Sequence, residues 1–299
     1  MNHESGEERA EEKETRRILR QVQDHFISVH LNLGAKQESV GMVEVFYHPT
    51  NPLAALNYVT PRRNTAWISG KMIEPGLDLL RGLNRVPRVQ FMEGLFPPLF
   101  AKTLRGLDLE VERETPMMVY KIDGINNEHV PPIPKQEAMP DGITLYKVHD
   151  QRGAEAWWYV WRNAYYDVLT LGVEPLFVGK DVASNRLGQQ IDYIAYRYGF
   201  PIGVARVSVQ GETANILALA LLKEVRTPEM TRVLQVAAMQ GALESGAKLL
   251  FAPGETDADR KLCRDLGFVD FGSVVCYAPT EAHEDDYDDR PLEQPVLSF

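Results

Sequence analysis

Residues 214–277, ANILALALLKEVRTPEMTRVLQVAAMQGALESGAKLLFAPGETDADRKLCRDLGFVDFGSVVCY, decide the fold. The apolar run from Ile216 to Leu222 is short and bounded by polar residues, the pattern of a strand buried on both faces. A turn follows at Arg226-Thr-Pro-Glu229-Met-Thr231. Leu234, Ala237, Ala238, Gly241 and Ala242 then recur at helical spacing, and Gly246 supplies the stop. Lys248 to Ala252 reads as the next strand and Glu255 to Leu266 as the next helix. Gly267-Phe268 opens a last β segment that ends near Tyr277.

This order of elements resembles the GNAT superfamily of acyl-CoA N-acyltransferases. Counted back from Gly246-Ala247, which match the small pair ending that family's central helix, Arg226 falls on the Arg of the Arg/Gln-x-x-Gly-x-Gly/Ala loop. Leu221 then matches an apolar residue of the preceding strand and Leu234 a core position of the helix. Leu262 to Phe268 matches the Leu-Tyr-x-x-x-Gly-Phe signature, with Cys263 in place of the Tyr. The resemblance is best over residues 143–280. It implies an α/β fold, a mixed, mostly antiparallel sheet flanked by helices, and acetyl-CoA as cofactor.

Residue by residue, the resemblance implies that Leu219, Ala220 and Leu221 lie along the pantetheine and that Arg226, Thr231 and Arg232 lie toward the phosphates. It puts Cys263 where a Tyr protonates the departing thiolate, and Trp157, Trp161 and Tyr165 on the helix that walls the acceptor groove. Each has a plainer reading beside it. Cys263 has the character of a small buried hydrophobe, the aromatic stripe that of core packing, and the two arginines that of exposed cations. The loop itself departs from the family pattern. The two glycines that admit phosphate to the main chain are Glu229 and Thr231, and Pro228 has no N–H to give. A carboxylate against a diphosphate costs on the order of 1 kcal/mol even partly screened. The expected function is therefore acyl-CoA-dependent N-acyl transfer to a small amine or peptide through an eroded cofactor loop. The alternative is a catalytically silent GNAT-fold binding or scaffold protein.

Composition narrows the classes further. The chain has 299 residues and a formal charge of −10. Residues 1–14 hold six acids against two bases and residues 281–299 seven against one, so the body between them is neutral. Neither a nucleic-acid partner nor a membrane is indicated, because there is no basic face and no apolar run long enough to span a bilayer. The acidic amino terminus is unlike a secretory leader, and a cytoplasmic protein is expected. Cys263 and Cys276 form no Cys-x-x-Cys pair, and His25 and His30, five apart on a helix, read as lying on different faces, so no metal site is expected.

The Pro-rich stretch 122–142 reads as a linker between two halves, 15–121 and 143–280, with acidic, unstructured tails at 1–14 and 281–299. In the first half a helix is expected over Thr15 to His30 and strands near Val40 to Tyr47, Ala54 to Val59 and Thr65 to Ser69. A helix follows near Gly76 to Asn84, a strand over Pro87 to Met92, a helix over Pro97 to Leu104 and a closing strand over Leu109 to Lys121. Phe91 stands 15 residues before Gly106-Leu107 and Phe251 stands 16 before Gly267-Phe268, which suggests a tandem arrangement. Lacking a phosphate loop, the first half is then the non-catalytic repeat. Pro61-Arg62-Arg63-Asn64 reads as a surface turn rather than an anion site, and Glu212 and Asp192 as the acids nearest the key strand.

Overall fold

In a computed structural model, residues 4–63, 65, 67–125, 132, 139–166 and 175–280 are described. The chain is divided into two compact units. Of the described residues, the first holds 4–117 together with 270–280, and the second holds those within 118–269. Both have the α/β architecture expected, with mostly antiparallel sheets and helices against them.

Unit 1 comprises α1 (Glu4–Asn32), β1 (Lys36–Val40), β2 (Val43–Tyr47), β3 (Tyr58–Pro61), α2 (Gly70–Gly82), β4 (Val89–Met92), α3 (Leu99–Arg105) and β5 (Leu109–Lys121). It also takes in β11 (Val269–Pro279), the last strand of the chain. Its strands lie in the order β1-β2-β3-β4-β11-β5. The parallel pair β3 and β4 meets at one register point, Val59 opposite Val89, and then separates. Val43, Val45, Val59, Ile73, Leu77, Leu80, Phe100 and Leu104 form its core, and Val275 and Tyr277 of β11 pack with them.

Unit 2 comprises β6 (Ile143–Lys147), α4 (Gln151–Tyr166), α5 (Pro175–Arg186), β7 (Gln190–Arg197), β8 (Phe200–Gln210), β9 (Thr213–Leu221), α6 (Pro228–Glu244), β10 (Leu249–Pro253) and α7 (Asp257–Asp265). The strand order is β10-β9-β8-β7-β6, with the end of β5 beside β10. One core cluster joins the sheet to α6 and α7 through Ile216, Leu221, Leu234, Ala238, Met239 and Cys263. Another joins it to α4 through Val204, Ala218, Ala220, Trp157, Val160 and Trp161. Gly241 of α6 is dictated by packing, since a Cβ there would stand 2.5 Å from Tyr193 Oη of β7. The helix stops where Gly246 takes φ 92°, which an L side chain resists.

Several expectations are corrected. The first helix begins at Glu4 rather than Thr15, so most of the expected acidic tail is helical; an Arg17–Glu14 pair (2.7 Å) supports its early turns. Ile18, Val22, His25 and Val29 recur at helical spacing on its buried stripe, and His30 is buried with them, both histidines being about 1% exposed rather than divided between faces. Val40 to Tyr47 is a hairpin of two strands, and residues 65 and 67–69 carry no strand. Most of the expected linker and the tail at 281–299 lie outside the described residues. The final strand, expected to close the second half, belongs to unit 1. No helix among the described residues is long and apolar enough to cross a membrane.

Candidate active site

The key strand β9 runs parallel to β10, yet the two are paired only at Thr213, Ala214 and Asn215, opposite Leu249, Leu250 and Phe251. Pro253, at the end of β10, has no N–H with which to extend the ladder. Beyond Asn215 no further register pair joins β9 to β10 among the described residues, while β9 stays on β8 as far as Leu221 opposite Gly203. A bulge helps to open the strand. Arg206 faces Ala218 but Val207 faces Ile216, so Leu217 is the extra residue. The bulge shifts the side-chain alternation, so that Ala214 and Ile216 before it share a core with Leu219 and Leu221 after it, under α6. Asn215, at the fork, is 2% exposed, and its Oδ1 has no hydrogen-bond partner.

The strand delivers the chain to α6 through a short 3-10 turn at Lys223–Val225. Thr227 is the N-cap, and its Oγ1 accepts from the Met230 amide at 3.2 Å. Of the three amides that would open the helix, Pro228 has none and that of Met230 is taken. Glu229 is exposed at the second helical position. Thr231 turns both its amide and its Oγ1 to the Thr227 carbonyl, each at 3.0 Å. Arg226 donates through Nη2 to the carbonyls of Ala164 (2.9 Å) and Leu221 (3.3 Å), so its guanidinium ties the end of α4 to the end of β9. Arg232 is half-buried on the first turns of α6.

Cys263 lies on the inner face of α7, 2% exposed, and its Sγ accepts from Gln235 Nε2 of α6 at 3.2 Å. Trp157 and Trp161 are stacked at 5.4 Å between centroids and are 1% and 4% exposed, inside the core that joins α4 to the sheet. The side chain of Tyr165 lies outside the described residues. The structure thus gathers Leu219–Leu221 and the start of α6 at one end of the fork, and puts Cys263 and the two tryptophans in the cores on its two sides. Glu212 pairs with Lys248 at the far, paired end of the ladder (2.5 Å). In unit 1 Arg62 is held by Glu44 (2.7 Å) and Arg63 by Asp24, so both cations of that turn are already paired.

Asp192 has a role that its sequence position conceals. It faces Arg206 directly across β7 and β8. Arg206, 7% exposed, donates to Asp192 through Nε (2.8 Å) and Nη2 (2.9 Å), and to Asp181 of α5 through Nη2 (2.6 Å). Its guanidinium carbon stands 3.8 Å from the centroid of the Trp157 ring. Trp158 Nε1 donates to Asp181 (2.8 Å), and Asn185 and Gln190 donate to Asp192 (3.0 and 2.7 Å). Burial works against the guanidinium charge, but Asp192 and then Asp181 outweigh it and hold the group above its usual range. The network fastens α4 and α5 to the sheet. The signal for it was a cation and an acid in the middle of otherwise apolar strands.

No protein-family profile matches this chain, and no curated protein sequence does. Among solved structures, the chain is similar to a GCN5-related N-acetyltransferase from Kribbella flavida, at 16% identity and a TM-score of 0.65, over 89% of this chain and 95% of that one. It is also similar to a tandem GNAT protein from the clavulanic acid biosynthesis pathway, at 14% identity and a TM-score of 0.56, over 82% of each chain. A GCN5-related N-acetyltransferase from Sphaerobacter thermophilus matches at 12% and 0.53, over 79% of this chain and 80% of that one. The fold is that of the GNAT acetyltransferases.

Proposed function

We propose that this protein is an acyl-CoA-dependent N-acyltransferase that carries an acetyl group to a small amine or peptide at the fork of β9 and β10, through an eroded cofactor loop. The observation that carries the reading is the three-residue ladder. Past it, Ile216–Leu221 of β9 runs on with no register pair to β10 among the described residues, and an extended pantetheine arm lies along such an opening as a strand would. Leu219, Ala220 and Leu221 are the residues that would hold it. When bound, acetyl-CoA supplies an activated acyl group that an amine attacks directly. The chain's own part is to fix the arm, polarise the acyl oxygen with backbone N–H groups of β9 and exclude water from the fork.

The residues present suit the arm and do not suit the diphosphate. One opening amide of α6 is missing at Pro228, another is capped by Thr227, Arg226 is committed to two carbonyls, and Glu229 brings negative charge. These same features favour the second reading, a catalytically silent GNAT-fold binding or scaffold protein. Burial of Cys263 beneath α6 supports a packing role and leaves the departing thiolate to take its proton from solvent.

Titration of the full chain with acetyl-CoA separates the readings. Weak binding is expected, strengthened about five-fold by Glu229→Gly with Thr231→Gly, since about 1 kcal/mol of repulsion is removed. Each variant must be compared with its own ligand-free state, because glycine costs about 1 kcal/mol per helical position. Tight native binding that the glycines abolish would overturn the eroded-loop reading. No binding by either protein would establish the silent one.

A further inference from the structure

Unit 1 has its own fork, and it is not empty of chemistry. Where β3 and β4 separate beyond Val59 and Val89, a half-open cleft lies under α1, floored by Thr60 and Gln90 and walled by Phe26, Ile27, Met92 and Val274. Gln90 is 8% exposed, and its Oε1 has no hydrogen-bond partner among the described residues. A buried acceptor left unpaired costs free energy in the folded state, and native proteins rarely keep one without a use. Beside it, Thr60 is 2% exposed and its Oγ1 accepts from Gln23 Nε2 (3.3 Å), which leaves the hydroxyl proton available to donate. Tyr58, also on the wall, is engaged with His30 Nδ1 (2.9 Å).

We propose that this cleft binds the hydroxyl or primary carboxamide end of a small uncharged ligand. The head group donates to Gln90 Oε1 and accepts from Thr60 Oγ1, while a short apolar body lies in the mouth between α1 and β11. Charge decides the class of ligand. Among the described residues no Asp, Glu, Lys or Arg lines the cleft, so an ammonium or a carboxylate would be desolvated there without a counter-charge. The floor admits a group little larger than a water molecule, which restricts the head to a single hydroxyl or amide. The site lies in the half that lacks a phosphate loop and does not depend on acyl transfer in unit 2.

The test is an NMR titration of the full-length protein with 1-butanol and butyramide, with butylammonium and butyrate as charged controls. Saturable shifts confined to the residues of the cleft are expected for the neutral pair, with affinity at least ten-fold above the charged pair. Gln90→Leu should abolish them and melt no lower than the native protein, because it removes an unsatisfied group without emptying the space. Thr60→Val, which keeps the shape of its side chain, should weaken them by five-fold or more and provides the check should Gln90→Leu fail to fold. Absence of saturable binding by both neutral probes, equal binding of the charged pair, or undiminished binding by either variant would overturn the proposal. So would a crystal soak in which ordered water keeps its place on Gln90 Oε1.

Discussion

Replacing Arg206 by Met removes one cation from between two buried carboxylates, and the structure sets the size of the effect. Asp192 is fully buried, Asp181 is 7% exposed, and among the described residues the pair would retain Trp158, Asn185 and Gln190 as side-chain donors. Breaking a buried ion pair by removing one partner costs about 3–5 kcal/mol, because the charge left behind stays desolvated. At roughly 2–4 °C per kcal/mol for a unit of this size, the melting temperature should fall by about 6–20 °C at pH 7. Three of the four tryptophans lie in α4, so intrinsic fluorescence reports this unit. Adding Asp181→Asn and Asp192→Asn to Arg206→Met should recover most of the loss. If Arg206→Met melts within about 4 °C of the native protein at pH 7, about what 1 kcal/mol would give, the network does not hold α4 and α5 to the sheet and the reasoning fails.

Two further outcomes are expected. His25 is held near pKa 3, by burial first and by the neighbouring His30 second, against an ordinary value of 6.5. Its native state therefore favours the neutral ring, the associated stability is complete above pH 6.5, and it is lost as pH falls, at up to 1.36 kcal/mol per unit. At pH 4.5 the loss should be about 2.7 kcal/mol, read as the change in the stability difference between the native protein and His25→Leu across pH 7 to 4.5; identical pH profiles would contradict it. In any amine that the protein proves to acetylate, Cys263→Ala should leave kcat within about two-fold and lower stability by about 1 kcal/mol, as removal of a small packed group does. A kcat loss of a hundred-fold with unchanged KM would restore Cys263 as the proton donor.

The run of elements from β9 to β11 was legible because each carries its own local signal: a bounded apolar strand, a 3.6-residue repeat closed by Gly246, and the Gly267-Phe268 restart. β5 was legible to the residue at both ends. What could not be read is tertiary. Arg206, Asp192 and Asp181 are far apart in sequence and join only when β7, β8 and α5 assemble. The commitment of Arg226 to the carbonyls of Ala164 and Leu221 depends on where α4 ends. The depth of the fork between β9 and β10 could not be read either, because the register of a parallel pair leaves no trace in either strand alone. Thr65 to Ser69 failed for another reason. Its short apolar run between polar residues suited a strand, but the described residues there lead directly into the helix at Gly70.

The placement of β11 has a consequence for the order of events during synthesis. Most of unit 1 precedes unit 2 in the chain, yet one of its interior strands, lying between β4 and β5, follows unit 2 and is the last strand among the described residues. Domains emerging from the ribosome generally fold in order, each completed before the next is made. Here the half translated first has a slot between β4 and β5 that only residues 269–279 fill. It must wait through the synthesis of all of unit 2 with β4 as an unguarded edge, the kind of surface that invites pairing with another chain. A ribosome that stalls before Val269 leaves the earlier half incomplete, since a strand made after unit 2 is the one that closes it.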